Sequence, residues 1–71
     1  MDKDQLKNDF TYHRPFGDQP QRYEAIRAKG FSLANYINDN CPDSMEKSLA
    51  ITKIEEAIFW ANASIARNEI E

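Results

Sequence analysis

The apolar segment AIFWANASIA, at residues 57–66, constrains the fold of this 71-residue chain more than any other feature. It continues a seam of apolar residues three and four apart, as on one face of a helix: Ile51, Ile54, Ile58, Ala61 and Ile65. A second apolar stripe, displaced around the same helix, consists of Leu49, Phe59, Trp60 and Ala63. Because a helix that is apolar on most of its circumference is a buried helix, this segment needs neighbours on more than one side.

A first helix is predicted over residues 19–40. Asp18 and Gln21 have the spacing of a capping box, and Pro20 is tolerated in the first turn of a helix. The apolar seam of this helix comprises Tyr23, Ile26, Gly30, Leu33 and Ile37. Because glycine costs about 1 kcal/mol relative to alanine inside a helix, Gly30 predicts a close backbone contact at this point.

A second helix is predicted over residues 44–69, after a short turn. Cys41 precedes Pro42, which disfavours continuation of the first helix. Asp43 and Glu46 repeat the capping-box spacing and predict the start of the next helix.

Residues 1–18 precede both helices and form an N-terminal arm. We expect this arm to be irregular because it contains Pro15 and Gly17, which interrupt regular structure. The sequence therefore predicts one all-α domain over residues 1–71, an antiparallel two-helix hairpin with an irregular arm.

A chain this short buries too little apolar surface to be stabilised by a hydrophobic core alone. Domains of this size bury only about 60% of their unfolded surface and usually depend on disulfides, a metal or oligomerisation. One cysteine and one histidine exclude an internal disulfide and a four-ligand zinc site. The first helix covers one face of the second and leaves Phe59 and Trp60 without a partner. We therefore predict a homo-oligomer with Phe59 and Trp60 in its interface.

No catalytic constellation is present in the sequence. His13 is the sole histidine, and no evident nucleophile accompanies it. Glu55 and Glu56 are adjacent, so they point in different directions on a helix. Two glycines are too few for a phosphate-binding loop. We therefore expect a protein that is not an enzyme and that needs no metal and no cofactor.

The distribution of charge favours a small anionic ligand over DNA. The net charge is −3, whereas nucleic-acid-binding domains have a basic footprint. Residues 14–29 contain four cations and two acids, but residues 30–71 contain three cations and seven acids. A long duplex would meet repulsion outside the basic patch, so DNA is not an expected partner.

No membrane partner is expected either, because no apolar run approaches the ~18 residues of a membrane span. A single cysteine and the lack of a signal-peptide pattern predict a reducing cytoplasm as the location.

Arg27 is the first candidate for contact with a small anionic ligand. Tyr23, Arg27 and Phe31 follow one another at i, i+4 spacing, so Arg27 lies between two aromatic residues on one stripe. This arginine either snorkels at the edge of an interface or presents its guanidinium to a phosphate.

The arm adds aromatic and basic residues that favour the second interpretation. FTYHRPF, at residues 10–16, contains three aromatic rings, those of Phe10, Tyr12 and Phe16, and two basic side chains, those of His13 and Arg14. We expect Phe10 and Phe16 to attach the arm to the helices. Tyr12, with an aromatic face and a polar tip, is the candidate for stacking on a nucleobase.

Three segments carry a resemblance to a known family: FTYHRP, RYEAIR and CPDSMEKSLAITKIEEAIFWANASIARNE. They are similar to the phage anti-CBASS nucleotide sponges, whose short helical-hairpin domain also occurs in the sponges that counter Thoeris defence. The similarity extends from Phe10 to Asn68, and SLAITKIEEAIFWANASIAR is its most specific part.

The resemblance implies a phage protein that captures host cyclic dinucleotides, and in some members cyclic trinucleotides, without degrading them. CBASS effectors in the host cell cytoplasm then stay inactive. It also implies a homohexamer of hairpins with dinucleotide pockets between paired protomers. The stacking tyrosine of the family corresponds to Tyr12, and its phosphate-binding lysine corresponds to Arg27. The trinucleotide pocket corresponds to Arg67 and to Lys29, where some relatives have threonine.

Two other functions stay open from the residues alone. A helical protein–protein interaction module that inhibits a host or phage protein accounts for Phe59, Trp60 and the acidic second half. It gives no reason for the aromatic and basic residues of the arm. A small transcriptional regulator is the other alternative, although its cationic surface looks too small for duplex DNA.

Overall fold

A computed structural model describes residues 1–71 as three helices without a strand. The helices are α1 (Lys3–Asp9), α2 (Gln19–Asn40) and α3 (Met45–Asn68). The prediction of an all-α chain is confirmed. None of the three helices combines the length and the apolar character that crossing a membrane requires.

The expectation of an irregular arm is wrong for its first half, which forms α1. The Asp2 side chain accepts a hydrogen bond from the Asp4 backbone N–H at 2.7 Å and starts this helix. Pro15 and Gly17 lie beyond the end of α1, so they interrupt only the second half of the arm.

The start of α2 does not use the expected capping box. Asp18 occupies the N-cap position, but its carboxylate makes no capping hydrogen bond. It lies instead 3.1 Å from Nε of Arg22, one turn further along. The Gln19 side chain reaches back and accepts a hydrogen bond from the Phe16 backbone N–H at 3.1 Å. The role assigned to Gln21 was therefore wrong.

The turn into α3 also replaces the expected cap. Ser44, rather than Asp43 with Glu46, caps the helix by accepting a hydrogen bond from the Lys47 backbone N–H at 3.1 Å. Nζ of Lys47 donates to the Asp43 carboxylate at 2.7 Å and to the Asn38 carbonyl at 2.9 Å. The hydrogen bond from Lys47 lowers the pKa of the Asp43 carboxyl. Lys47 thus joins the end of α2 to the start of α3.

The two long helices pack side by side in antiparallel order, and Gly30 of α2 faces Ile58 of α3. This glycine is buried, and a Cβ atom added to it would lie 2.6 Å from both Cγ1 and Cδ1 of Ile58. The expected close approach at Gly30 is therefore confirmed.

The α2 seam differs from the sequence pattern at one position. Ala34 is half-buried, whereas Leu33 is 51% exposed. Ala34 lies about 40° from Gly30 around the helix and Leu33 about 60° on the other side, so Ala34 faces α3 more directly. Its small side chain also suits the short distance between the helices that Gly30 sets.

The chain is elongated and thin rather than compact. Its Cα atoms span 44 × 30 × 12 Å. The radius of gyration is 15.3 Å, against about 11 Å for a compact domain of this length. No hydrophobic side chain is fully buried; Gln19 and Gly30 are the two buried residues.

The contact between Gly30 and Ile58 predicts that the effect of Gly30→Ala on the free energy of unfolding changes sign with the residue at position 58. Gly30→Ala should lower the free energy of unfolding by ~1 kcal/mol, because overpacking against Ile58 outweighs the gain in helix propensity. In an Ile58→Ala background the same change should raise it by about 1 kcal/mol, because the obstructing atoms are gone. Urea denaturation followed by circular dichroism measures both.

Ser32→Ala, at an exposed position of α2, is the control for helix propensity alone. Equal destabilisation by Gly30→Ala in both backgrounds would contradict the proposed contact.

Candidate functional site

An open groove between α2 and α3 contains Arg27. This Arg27 groove has a volume of about 430 Å³. Apolar side chains supply most of its lining, among them Phe31, Ile51, Ile54, Ile58 and Phe59. Arg27 and Glu55 are the charged residues that line it. A cation beside an apolar wall suits a ligand with both a flat apolar part and an anionic group.

A second cavity, the Trp60 pocket, lies on the adjoining face of α3. It has a volume of about 380 Å³ and is lined by Glu56, Phe59, Trp60, Ala63 and Arg67. The guanidinium carbon of Arg67 lies 5.9 Å from the centroid of the Trp60 ring, within the range of a cation–π interaction. Phe59 lines both this pocket and the Arg27 groove.

Helix α1 lies against Arg67. Nη1 of Arg67 is 3.5 Å from the Asp9 carboxylate, and the Asn8 side chain donates to the Arg67 carbonyl at 3.0 Å. A hollow of about 250 Å³, lined by residues of α1 and α3, separates parts of the two helices. Trp60 and Arg67 line this hollow as well as the Trp60 pocket.

The segment that carries Tyr12 is folded back onto α1 by its own polar side chains. His13 donates a hydrogen bond from Nε2 to the Asn8 carbonyl at 2.9 Å, and Thr11 donates to the Lys7 carbonyl at 2.6 Å. Tyr12, between these two residues, is 82% exposed. The backbone on both sides of Tyr12 is therefore held while its ring stays free for contact.

The two phenylalanines that flank Tyr12 behave differently. Phe16 is half-buried, as expected for a residue that attaches the arm. Phe10 is 85% exposed, so the attachment expected of it is wrong within one chain. Phe10 directly follows Asp9, which faces α3, and neighbouring positions on a helix point about 100° apart.

A polar cluster fixes the start of α2 to the end of α3. The Glu69 carboxylate accepts hydrogen bonds from both Nη atoms of Arg22 and from Nε2 of Gln19, the latter at 3.0 Å. The bonds from Arg22 and Gln19 lower the pKa of the Glu69 carboxyl to about 2. The same carboxylate raises the pKa of the Arg22 guanidinium. Since Gln19 also binds the Phe16 N–H, this cluster sets the direction in which the arm leaves α2.

The predicted site residues fall into separate regions of a single chain. Arg27 shares its groove with Phe59, and Arg67 shares its pocket with Phe59 and Trp60. Phe59 and Trp60 are 66% and 61% exposed. Tyr12 and Lys29 are exposed and line neither of these cavities.

The comparison with protein families covers nearly the whole chain. Residues 2–66 match the family model described as Acb2/Tad1, hairpin domain. The chain belongs to this family. The family is the anti-CBASS and anti-Thoeris sponge family, a family of cyclic-oligonucleotide binders rather than enzymes. The resemblance inferred from the sequence is therefore confirmed. No curated protein and no solved structure matches the chain significantly.

The sequence did not identify Glu69 and Asp9 as the acids that form ion pairs with Arg22 and Arg67. Glu69 and Arg22 are 47 residues apart, and Asp9 and Arg67 are 58 apart, so neither pair has a local pattern. An acid in the last turn of α1 is itself a weak signal, because a negative charge there opposes the helix dipole and needs a partner. Asp9 is such an acid.

The Glu69 cluster predicts a specific acid dependence of stability. Because the pKa of Glu69 is lowered on folding from 4.5 to about 2, its stabilising contribution is complete above 4.5 and is lost as the pH falls towards 2. The stability difference between the wild type and Glu69→Gln should therefore shrink across this interval. Urea midpoints measured at each pH give that difference.

Glu71→Gln, an exposed acid two residues away, is the control and should follow the wild-type pH profile. A difference between the wild type and Glu69→Gln that stays constant from pH 5 to pH 2 would contradict the role of the cluster.

Proposed function

We propose that this chain is a phage immune-evasion protein that binds host cyclic dinucleotide messengers and withholds them from CBASS effectors. Membership in the Acb2/Tad1 hairpin family is the observation that carries the proposal. The protein acts in the host cell cytoplasm and releases its ligand unaltered. Sequestration of this kind requires tight binding and sufficient copies, and no chemical step.

The chemistry of the Arg27 groove supports a nucleotide ligand. Arg27 supplies a permanent positive charge with several donors, which suits a phosphodiester. Phe31 and Phe59 line the same groove and offer aromatic surface to a base. Glu55 is an acceptor within the groove for the amino or imino group of a base.

Tyr12 joins this site from another copy of the chain. In its own chain Tyr12 is exposed and lies outside the Arg27 groove. The dinucleotide site therefore comprises Arg27 of one protomer and Tyr12 of its partner, with the tyrosine ring stacked on a base. A ligand held between two protomers gains contacts from both.

The surface of a single chain supports such an assembly. A folded monomer of 8.2 kDa has about 4,500 Å² of accessible surface, whereas this chain has 5888 Å². The excess of roughly 1,400 Å² is larger than the ~800 Å² that each partner buries in a standard interface. Phe59 and Trp60 are the interface residues of the proposed homohexamer.

A cyclic trinucleotide site is the second part of the proposal. Arg67 beside the Trp60 ring offers a cation and an aromatic surface, and Lys29 is an exposed cation that forms no ion pair. Copies of these cations that converge at an axis repel one another unless an anion lies between them. The phosphates of a cyclic trinucleotide would supply that anion.

The dinucleotide site is tested by calorimetry with a panel of cyclic dinucleotides. Tyr12→Ala should weaken binding by roughly 5- to 150-fold, since stacking contributes ~1–3 kcal/mol per base. Arg27→Ala should weaken it by roughly 10- to 150-fold, since charge-assisted hydrogen bonds contribute ~1.5–3 kcal/mol.

Two matched controls accompany these variants. Tyr36→Ala removes an exposed tyrosine of α2, and Lys53→Ala removes an exposed cation of α3; both should bind as the wild type does. Unchanged affinity in the double variant Tyr12→Ala, Arg27→Ala would refute the assignment of the site.

Light scattering separates the sponge from the alternative of a protein-interaction module, which the exposed Phe59 and Trp60 also favour. The sponge predicts a stable multimer in the absence of any partner, and Trp60→Glu should dissociate it because a charge is buried in the interface. Thr52→Glu, at an exposed position of α3, should leave the multimer intact. A wild-type monomer that assembles only with another protein would favour the module.

A further inference from the structure

Arg67 is the one cation of the proposed trinucleotide site that already has an acidic partner within the chain. Its Nη1 lies 3.5 Å from the Asp9 carboxylate, and the side chains of Arg67 and Asp9 are 31% and 21% exposed. Lys29, by contrast, has no ion pair. The charge of Arg67 is therefore partly neutralised before any ligand arrives.

The position of Asp9 is not explained by the stability of α1. As the last residue of that helix it opposes the helix dipole. Its carboxylate accepts a hydrogen bond from the Gln5 side chain at 2.7 Å, a contact that a neutral amide oxygen would also accept. The negative charge of Asp9 therefore matters through Arg67.

The contacts between α1 and α3 converge on this arginine. Asp9 pairs with its guanidinium, and the neighbouring Asn8 binds its backbone carbonyl. Asp9, Trp60 and Arg67 all line the hollow between the two helices. A phosphate that approaches Arg67 from this side meets the Asp9 carboxylate first.

We propose that Asp9 is an affinity-determining residue that competes with the ligand phosphate for Arg67. This inference rests on the trinucleotide part of the proposed function. Asp9 holds the guanidinium in the absence of ligand and keeps weak anions from occupying it. A ligand with several phosphates displaces the carboxylate, because it reaches the cations of more than one protomer at once.

Removal of the negative charge at position 9 should therefore tighten binding. Exposed ion pairs contribute little, so Asp9→Asn should increase the affinity for cyclic triadenylate by roughly two- to fivefold. Asp9→Glu keeps the carboxylate and should stay within the wild-type range. Asp4→Asn is the matched control for net charge, because Asp4 lies on the same helix and pairs with no cation.

Trp60 provides the readout. It is the sole tryptophan of the chain and lies against Arg67, so displacement of Asp9 by a phosphate should change its fluorescence. Titrations with cyclic triadenylate are compared among the wild type and the variants, and circular dichroism verifies that each variant keeps its helical content.

The results separate this inference from the proposed function. Tighter binding by Asp9→Asn, together with weaker binding by Arg67→Gln, would support competition. Equal affinity of Asp9→Asn and the wild type would overturn the inference and leave the trinucleotide site intact. Failure of every variant to bind cyclic triadenylate would overturn the inference together with that site. Cyclic dinucleotide binding at Arg27, measured on the same samples, then decides the rest of the proposed function.

Discussion

The contact between α2 and α3 closes only one face of α3, and the other features of the structure depend on this constraint. Gly30 brings the helices together tightly enough that Ile58 packs against the α2 backbone. Helix α1 contacts α3 at Arg67 but does not bury the rest of its surface, so Phe59 and Trp60 remain exposed. No hydrophobic side chain is fully buried, although stable domains are built around a hydrophobic core between packed layers. The proposed self-association would cover the exposed apolar residues of α3.

Polar interactions, rather than an apolar core, hold the arm. His13 and Thr11 fold it onto the end of α1, and the Glu69 cluster fixes its connection to α2. Because these contacts are exposed or half-buried, each contributes little by itself. Together they leave the ring of Tyr12 free while they restrict its backbone. Such an arrangement suits the role proposed for Tyr12, which is to contact a ligand that is also bound by another protomer.

The sequence predicted what periodicity determines and missed what individual side chains decide. The helical hairpin, the seam of α3 and the close approach at Gly30 follow from residue spacing and from the cost of glycine in a helix. The two capping boxes failed because Asp18 and Asp43 found basic partners one turn away, at Arg22 and Lys47. Local pattern cannot distinguish a cap from an ion pair when one carboxylate is able to form either. The same distinction applies to the candidate site. The residue types of the arm are enough to predict Tyr12 as a ligand contact. The ion pairs Glu69–Arg22 and Asp9–Arg67 join residues far apart in the sequence, so only the packed structure reveals them.

The proposed function requires this protein to withhold a cyclic nucleotide without changing it. The most direct test incubates the protein with a bound cyclic dinucleotide, denatures it by heat and analyses the released ligand by mass spectrometry. A sponge should release intact ligand in the amount that was bound, and this ligand should again activate a CBASS effector. Recovery of a linear or hydrolysed product would contradict the proposed function, as would a folded multimer that retains no ligand from the whole panel.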